Sequence, residues 1–316
     1  MSPTDPPYSN LDLVERVDRW PYFDRDPDAY KQHMLSYYYF FVDGIKRPLG
    51  YMHHSFVEQM PWPDFWAVDH GKRTATLKTG TDFETRTRLM KETMRAGIES
   101  PKVSVFPKWH NELFAIYDAN GEHVFSLDGT GLSGFGVINY GVHVIGYRHT
   151  SKGTEYCVPR RAKTKSTYPN MLDNTVGGSL SAGESPIECM VRECEEELSM
   201  KPEYTRANLK PCGTISWSTD RLDDGSVGCQ HQVQYLYEME IGEDTVLEIG
   251  DGEVGEINWK SLDQVRAALS NGEFKLNCAM TWLAFLIRNG HITAEDEPKL
   301  VEICSRLHRK LDLFVI

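Results

Sequence analysis

Three glutamates, Glu193, Glu196 and Glu197, have the residue type and spacing in this 316-residue chain that most directly predict chemistry. On a helix with 100° of rotation per residue, they lie within an arc of about 100° on one flank. Like charges at this spacing repel each other by roughly a few tenths of a kcal/mol per pair, and the C-terminal end of a helix disfavours negative charge further. Mg²⁺, or Mn²⁺ in its place, would remove that cost, because hard divalent ions prefer carboxylate oxygens and bridge to substrate phosphates. A solvated acidic helix face is the alternative interpretation.

A helix must position these carboxylates, and the sequence predicts that it begins at Pro186. Ser185 is a suitable N-cap, proline suits the first helical position, and Glu188, three residues after the cap, would complete a capping box. The apolar residues of this segment fall on one stripe that we expect to be buried; they are Ile187, Met190, Val191, Cys194 and Leu198. The stripe determines which residues face outward.

The stretch GGSLSAGESPIECMVRECEEELSM, residues 177 to 200, resembles the Nudix box, G-x5-E-x7-R-E-U-x-E-E-x-G-U, in which U is a bulky apolar residue. The positions that match are Gly178, Glu184, Arg192, Glu193, Glu196, Glu197 and Met200. Cys194 stands where an aliphatic residue is usual, a mild change because buried cysteine behaves as a small hydrophobe. Ser199 stands where glycine is usual, so the helix exit could differ, since serine adopts the left-handed conformation less easily.

The resemblance implies a Nudix fold, an α/β/α sandwich with a mixed sheet, and metal-dependent hydrolysis of a diphosphate linked to another moiety. By the same resemblance, Glu196 and Glu197 would be principal Mg²⁺ ligands. Glu193 would be a further ligand or the base for the attacking water, and the Gly177 carbonyl would complete the metal shell. The expected reaction is in-line attack of water on phosphorus.

Residues around these ligands have supporting roles by resemblance. Arg192 would orient the glutamates, and Glu184 would support the loop and the metal cluster, with a purely structural ion pair as the alternative. A glutamate from a later loop often reaches the metal in this family. Glu253 and Glu256, in the segment GDGEVGEINW, are both candidates, and Glu253 is slightly favoured.

A short basic segment lies upstream of the box in an otherwise acidic chain. Its cations fall within six residues: Arg160, Arg161, Lys163 and Lys165. Such a cluster could bind substrate phosphates opposite the metal, and an exposed basic turn is the alternative. Tyr168 and Trp217 are candidates to stack on a ring of the substrate, although a core position is the more common one for tryptophan.

Together with the block at residues 271 to 298, these segments resemble the thiamine-pyrophosphokinase-related Nudix hydrolases of fungi and plants, over residues 10 to 298 or so. That resemblance implies removal of damaged thiamine diphosphates, the oxy and oxo analogues, by cleavage to monophosphates. Hydrolysis of 8-oxo-dGDP or 8-oxo-dGTP and a non-catalytic ligand-binding module are alternatives. The basic segment also resembles isopentenyl diphosphate isomerase, but that enzyme needs a cysteine where this chain has Gly177 and Gly178.

The chain divides into two predicted domains. A glycine-rich stretch at 129 to 136 precedes a strand-like run at 141 to 149, so we place the boundary near residue 138. Residues 1–138 then form a smaller, mixed α+β domain of uncharacterised type, with a helix over 82–97 and a two-residue hairpin turn at Asn120-Gly121. Residues 139–316 form the Nudix domain. The first domain would shape the specificity pocket, mediate a homodimer, or both.

The composition limits the classes of partner that we expect the chain to bind. With 34 Lys plus Arg against 46 Asp plus Glu, the net charge is −12, which argues against nucleic-acid and anionic-membrane binding. The N-terminal segment lacks an apolar signal core, and no run is long enough to span a membrane. The 7 cysteines include no CxxC pair, which favours reduced thiols. We therefore expect a cytoplasmic enzyme acting on a small-molecule diphosphate, with a nuclear location left open.

Overall fold

The computed structural model of the chain describes residues 7–78, 80–222 and 227–315. Predictions about targeting that rest on the first six residues, and the last residue of the second predicted domain, lie outside this range. Within it, no helix combines the length and the apolar character needed to cross a membrane.

The first part of the chain is a mixed α and β region, as predicted. Its elements are α1 (Asn10–Glu15), α2 (Pro27–Met34), β1 (Tyr37–Val42), β2 (Gly50–His53), α3 (His54–Gln59), β3 (Trp66–Asp69), β4 (Thr74–Leu77), α4 (Phe83–Glu99), β5 (Leu113–Tyr117), β6 (His123–Asp128), a 3₁₀ turn (Gly129–Gly131) and α5 (Leu132–Phe135). Strands β2, β1, β4 and β3 form one sheet in that order, and β5 and β6 form a hairpin. An aromatic core that includes Phe40, Phe125 and Phe135 joins them.

Two local predictions for this region can be compared with the structure. The helix predicted over 82–97 is α4, capped by the side chain of Asp82. The hairpin also forms, but its turn is longer than predicted, because Asp118 and Glu122 still pair through their backbones at 3.0 Å. The Asp118 carboxylate accepts the backbone N–H groups of Asn120 and Glu122, at 2.8 and 3.0 Å, and only Gly121 takes a positive φ, of 79°. Side-chain capping by Asp118 therefore replaces the two-residue turn.

The second part is built on one mixed sheet between helices, which confirms the predicted fold class. Its elements are β7 (Ile138–Thr150), β8 (Gly153–Cys157), β9 (Arg160–Arg161), β10 (Val176–Ser179), α6 (Pro186–Leu198), α7 (Pro202–Asn208), β11 (Leu209–Arg221), β12 (Val227–Glu240), β13 (Val254–Glu256), β14 (Trp259–Ser261), α8 (Leu262–Ser270), α9 (Leu276–Arg288) and α10 (Leu300–Leu307). The strand order is β11-β12-β7-β8-β14, with β10 antiparallel to β7 and β12 parallel to it. Helix α6 covers one face, and α9 covers the other.

Helix α6 begins at Pro186, as predicted, and Ser185 caps it by accepting the N–H of Glu188 at 3.4 Å. The predicted capping box is only half formed, because the Glu188 carboxylate pairs with Arg206 instead. The helix exit keeps the usual geometry, since Ser199 adopts the left-handed conformation with φ at 53°. Serine therefore fills the place of the usual glycine at some conformational cost.

Strand β7 begins at Ile138, next to the predicted boundary, and segments before this strand also pack against the second part. In α1 and the turn after it, Leu13, Val14 and Val17 belong to the same buried cluster as α9 and α10. The buried side chains of Asp18 and Arg309 form an ion pair at 2.9 Å, and Arg309 also donates to the carbonyl oxygens of Trp20 and Pro21. The beginning of the chain is thus tied to its end.

The ion pair between Asp18 and Arg309 leads to a prediction about stability. Replacing Arg309 with methionine should lower the free energy of unfolding by about 3 kcal/mol, because the buried Asp18 carboxylate would lose its partner at 2.9 Å and keep Arg306, at 3.8 Å, as its remaining described cation. Urea denaturation of the full chain measures the effect. Lys310→Met, at the exposed neighbouring position, is the control and should change the free energy of unfolding little. Equal, small effects of both substitutions would show that the buried pair does not hold the two ends together.

Candidate active site

The carboxylate of Glu193 lies against the backbone of Gly178 in β10. A Cβ atom at position 178 would fall 2.1 Å from the carboxyl carbon of Glu193, so the close approach of α6 to β10 depends on glycine. Only 14% of the Glu193 side chain is exposed. Burial raises the pKa of this carboxyl to about 7; Arg192 opposes the shift, whereas Glu196 and Glu112 add to it. A carboxyl in this state can exchange a proton near neutral pH.

Arg192 contacts three of the glutamates that the sequence singles out. Its Nε and Nη2 atoms each donate to one oxygen of Glu184 at 3.0 Å, a bidentate pair. Its Nη1 atom donates to Glu193 and to Glu196, both at 2.9 Å. Because a guanidinium is planar and rigid, these bonds restrict the orientation of all three carboxylates.

Glu197 is in a different electrostatic state from its neighbours. The residue is only 9% exposed, and among the described residues its carboxylate accepts no hydrogen bond and pairs with no cation. Burial raises its pKa well above the usual range, and the charges of Asp173, Glu193, Glu253 and Asp251 raise it further. An uncompensated carboxylate surrounded by four others is unfavourable, and a divalent cation is the partner that such a donor set would accept.

The donor set therefore fits Mg²⁺, although no three Asp, Glu, His or Cys side chains of the described chain already surround one point. Arg192 pairs with Glu193 and Glu196 in this arrangement, whereas Glu197 has no such neighbour among the described residues. The predicted metal ligands Glu193, Glu196 and Glu197 all project from α6, and Gly177 lies in β10 beside them. Their roles as ligands stay predictions.

The loop before β13 is fixed to the end of α6, and it brings Glu253 towards Glu197. The N–H groups of Gly250 and Asp251 donate to the carbonyl oxygens of Glu197 and Glu196, at 3.0 and 2.9 Å. A Cβ at position 250 would fall 1.9 Å from the second of these oxygens, so glycine is needed there. Of the two candidate glutamates, Glu253 is the one whose charge raises the pKa of Glu197. Glu256 is exposed, in β13.

The basic segment lies beside these carboxylates, and two of its cations are already paired with acids. Arg161, only 9% exposed in its side chain, pairs with Asp173 at 2.6 Å, and Lys165 pairs with Glu253 at 2.6 Å. Arg160 donates to the carbonyl oxygen of Asn170 at 2.7 Å, and Lys163 is exposed. Arg161 and Lys165 thus hold acidic residues near Glu197. Binding of substrate phosphates by the segment stays a prediction.

A cavity of about 330 Å³ lies on the face of the sheet opposite α6 and reaches Gly177 and Gly178. Strand alternation explains this position: Val142 and Val144 face α6, so Asn139 and His143 face the other way. Amide side chains alternate in the same manner along β12 and line the cavity; they are Gln230, Gln232 and Gln234. These residues were not singled out in the sequence, although their period of two is a signal that could have been read.

The cavity lining is polar and contains a neutral histidine. Burial lowers the pKa of His143 to about 4, and the charge of Lys275 lowers it further. The His143 ring packs on β10, where a Cβ at Gly177 would fall 2.2 Å from its Nδ1 atom. Among the described residues, this nitrogen, Oδ1 of Asn139 and Oε1 of Gln234 are buried without a hydrogen-bond partner. Orphaned polar atoms of this kind are uncommon in folded proteins and mark places where water or a ligand binds.

Both ring-stacking candidates from the sequence line this cavity. Trp217 is only 3% exposed and belongs to the core beneath α9, so it fulfils the structural role as well. Tyr168, with a φ of 49°, lies in the loop between the basic segment and β10. The structure thus brings together Gly177, Gly178, Tyr168 and Trp217, whereas none of the four predicted cations lines the cavity within the described residues.

Comparison with known proteins identifies a matching family and relatives in sequence and in structure. Residues 139–280 match the model of the NUDIX domain. The chain is 31% identical to the uncharacterized protein YJR142W of Saccharomyces cerevisiae, over 96% of this chain and 92% of that protein. It is 31% identical to Nudix hydrolase 20, chloroplastic, of Arabidopsis thaliana, over 83% of this chain and 71% of that protein. The crystal structure of DR0079 from Deinococcus radiodurans covers 63% of this chain and 100% of its own, with a TM-score of 0.40.

The state of Glu197 leads to a prediction that separates stability from activity. We expect Glu197→Gln to lower the turnover of a diphosphate substrate by about a hundredfold or more, because a metal ligand is lost. In the presence of a chelator, the melting temperature should stay the same or rise, because the substitution removes an uncompensated buried charge. Phosphate release and thermal unfolding measure the two effects.

The matched control is Glu195→Gln, which changes an exposed glutamate on the other flank of the same helix. It should leave turnover and melting temperature unchanged. Full activity of Glu197→Gln would contradict the assignment of Glu197 to the metal. A fall in melting temperature large enough to account for the lost activity would contradict it as well.

Proposed function

The chain belongs to the Nudix hydrolase family, and from this premise we propose that it is a Mg²⁺-dependent hydrolase of damaged thiamine diphosphates, in their oxy and oxo forms. Hydrolysis of a diphosphate bond follows from membership of this family of pyrophosphohydrolases. The choice of substrate is our proposal. For the oxo form it rests on the charge of the cavity beside Gly177, and for the oxy form, which keeps the thiazolium ring, it rests on the amide side chains of that cavity. The products are the thiamine-type monophosphate and phosphate.

The described lining of the cavity contains cations and no carboxylate. Arg16, Arg221 and Lys275 line it, and no described Asp or Glu does. Thiamine carries a positive thiazolium ring, whereas the oxo form of that ring is neutral. At an effective dielectric constant of about 20, a unit charge roughly 8 Å from a like charge is destabilised by about 2 kcal/mol. Since about 1.4 kcal/mol corresponds to a factor of ten, this lining supports selection of the neutral, damaged ring.

The remaining lining suits a small heteroaromatic group. Trp217 and Tyr168 provide aromatic rings, and neutral His143 adds a polar edge. Amide side chains both donate and accept, so Gln232 and Gln234 can bind a pyrimidine in which an oxo group has replaced an amino group. A volume of about 330 Å³ is at the lower end of small-molecule pockets and suits one or two small rings.

In the reaction, a water oxygen forms a bond to phosphorus while the anhydride P–O bond breaks, and the leaving phosphate takes the electron pair. We propose that Glu193 accepts the proton of this water, because its raised pKa suits that role and Arg192 fixes its orientation. Glu196, Glu197, Glu253 and the Gly177 carbonyl would hold Mg²⁺. When bound, this ion neutralises the charge that develops on the phosphoryl oxygens.

A second candidate substrate class is the oxidised guanine nucleotides, 8-oxo-dGDP and 8-oxo-dGTP. One observation favours it: the row formed by Gln230, Gln232 and Gln234 offers donors and acceptors that also suit a purine edge. A non-catalytic module is less consistent with the structure, because Arg192 aligns three glutamates of the box. Isomerase chemistry is disfavoured, because a cysteine Cβ at position 177 or 178 would fall about 2 Å from His143 or Glu193.

We also propose a cytoplasmic location for the enzyme. All of its cysteines are free thiols, and most of them are buried. Free thiols are maintained in reducing compartments.

The proposal predicts the outcome of a substrate panel. With Mg²⁺, purified protein should hydrolyse oxothiamine diphosphate with a kcat/KM about tenfold or more above that for thiamine diphosphate, as the charge argument requires. Oxythiamine diphosphate, 8-oxo-dGDP and 8-oxo-dGTP complete the panel, and phosphate release is the measurement. A preference for 8-oxo-dGDP would replace the proposed substrate, and no release from any compound would reject hydrolysis as described.

Arg221, an exposed residue of the cavity lining, allows the effect of the cavity charge on substrate choice to be tested. We expect Arg221→Glu to shift the kcat/KM ratio towards thiamine diphosphate by about tenfold, because the new carboxylate attracts the thiazolium ring. Arg88→Glu, on the exposed face of α4 and away from the cavity, is the control for the change in net charge. If both variants change the ratio equally, the cavity charge does not select the substrate.

A further inference from the structure

The cavity is not formed by the NUDIX region alone. Residues from the first part of the chain also line it, in three stretches: Arg16 and Val17; His110 and Phe114; and Gly129, Leu132 and Ser133. The first of these follows α1, and the others flank the hairpin of β5 and β6. All of them precede the region that matches the NUDIX domain, which begins at residue 139.

The segment 110–114 is held firmly in place. The Asp128 carboxylate accepts the N–H groups of His110 and Asn111, at 3.0 and 2.9 Å, and that of Thr130 at 3.0 Å. Gly129 packs between two rings, and a Cβ there would fall 2.8 Å from Phe114 and 3.0 Å from His110. Anchoring of the backbone and close packing of the rings give a preformed surface, which lowers the entropic cost of binding.

The same segment is hydrogen-bonded to the loop between β10 and α6. The N–H of Ala182 donates to the carbonyl oxygen of Leu113 at 2.7 Å, and the Ser181 hydroxyl donates to the Glu112 carboxylate. This loop also carries Glu184, the bidentate partner of Arg192. The segment is therefore positioned between the ring cavity and the carboxylate cluster.

Two side chains of this region can meet a ligand without rearrangement. The His110 side chain is 54% exposed, at the cavity wall. Ser133 faces β12, where the Gln230 amide donates to its hydroxyl at 3.5 Å, a long contact that leaves hydrogen-bonding capacity for a ligand. Phe114 and Leu132 provide apolar surface beside them.

We propose that the first part of the chain is a substrate-recognition unit, in which His110 and Ser133 are specificity-determining residues that contact the uncharged heteroaromatic ring of the diphosphate ester. This inference rests on the proposed function, since it assigns the ring of the substrate to the cavity. The diphosphate itself lies across Gly177 and Gly178 and does not reach these residues. The binding energy that His110 and Ser133 contribute therefore depends on the presence of the ring in the substrate.

The test uses His110→Ala and Ser133→Ala in the full chain. Each variant should raise KM for the preferred organic diphosphate by about tenfold and leave kcat within about twofold, because binding to a remote part of the substrate is lost. Inhibition by inorganic diphosphate, which has no ring, should stay unchanged. His54→Ala, a side chain of similar exposure on α3 and outside the cavity lining, is the control.

A contrasting variant distinguishes ring contact from support of the loop. Ser181→Ala removes the bond to Glu112, and it should lower kcat alike for every diphosphate substrate. If His110→Ala lowers kcat for every substrate as Ser181→Ala does, or leaves KM within about twofold, His110 does not contact the ring and the inference is overturned.

The substrate proposal and this inference can fail separately. If the wild type prefers 8-oxo-dGDP, the thiamine proposal fails, but the same variants measured with 8-oxo-dGDP still decide whether His110 and Ser133 contact the ring. If the wild type turns over no organic diphosphate, both fail. A KM effect that appears with ring-bearing substrates and spares inorganic diphosphate supports the inference for either substrate.

Discussion

The burial of carboxylates on α6 is the constraint to which the rest of the site responds. Glu193 and Glu197 lie against the sheet, and burial raises the pKa of both. Such burial is unfavourable by several kcal/mol per charge, roughly, unless a partner is provided. Arg192 is that partner for Glu193, but Glu197 has none among the described residues. The apolar stripe beneath the helix supplies the compensating packing, and the missing positive charge is what a divalent ion would add.

Two glycines allow the sheet to present different chemistry on its two faces. At Gly178 the missing side chain admits Glu193 on the α6 side, and at Gly177 it admits His143 on the cavity side. Because consecutive residues of a strand point to opposite faces, this pair in β10 separates an acidic cluster from a cavity lined by cations and amides, by the thickness of one strand. A ligand with a charged diphosphate and an uncharged ring matches that division.

Local features of the site were predictable from the sequence, whereas long-range ones were not. The start of α6 at Pro186 and its buried stripe follow from capping residues and helical spacing, which act within a few residues. The half-formed capping box could not be foreseen, since Arg206 competes for Glu188 from another helix. Likewise, nothing in the basic segment shows that Arg161 would pair with Asp173, or that His110 would reach the cavity. Both depend on packing between segments that are distant in the chain.

The net charge of −12 suggests that the chain repels anionic ligands, but the distribution of its charges changes that interpretation. Acidic residues converge on Glu197 from α6, from the loop before β13 and from Asp173, while cations line the cavity on the other face. Repulsion of anionic substrates by the chain as a whole is therefore opposed locally, by Arg16, Arg221 and Lys275 at the cavity. Salt screens interactions between exposed charges that are more than about 10 Å apart, so the nearby cations dominate the electrostatic potential at an entering ligand. An acidic protein can thus accept a diphosphate if its cations lie where the substrate enters and its acids lie where the metal binds.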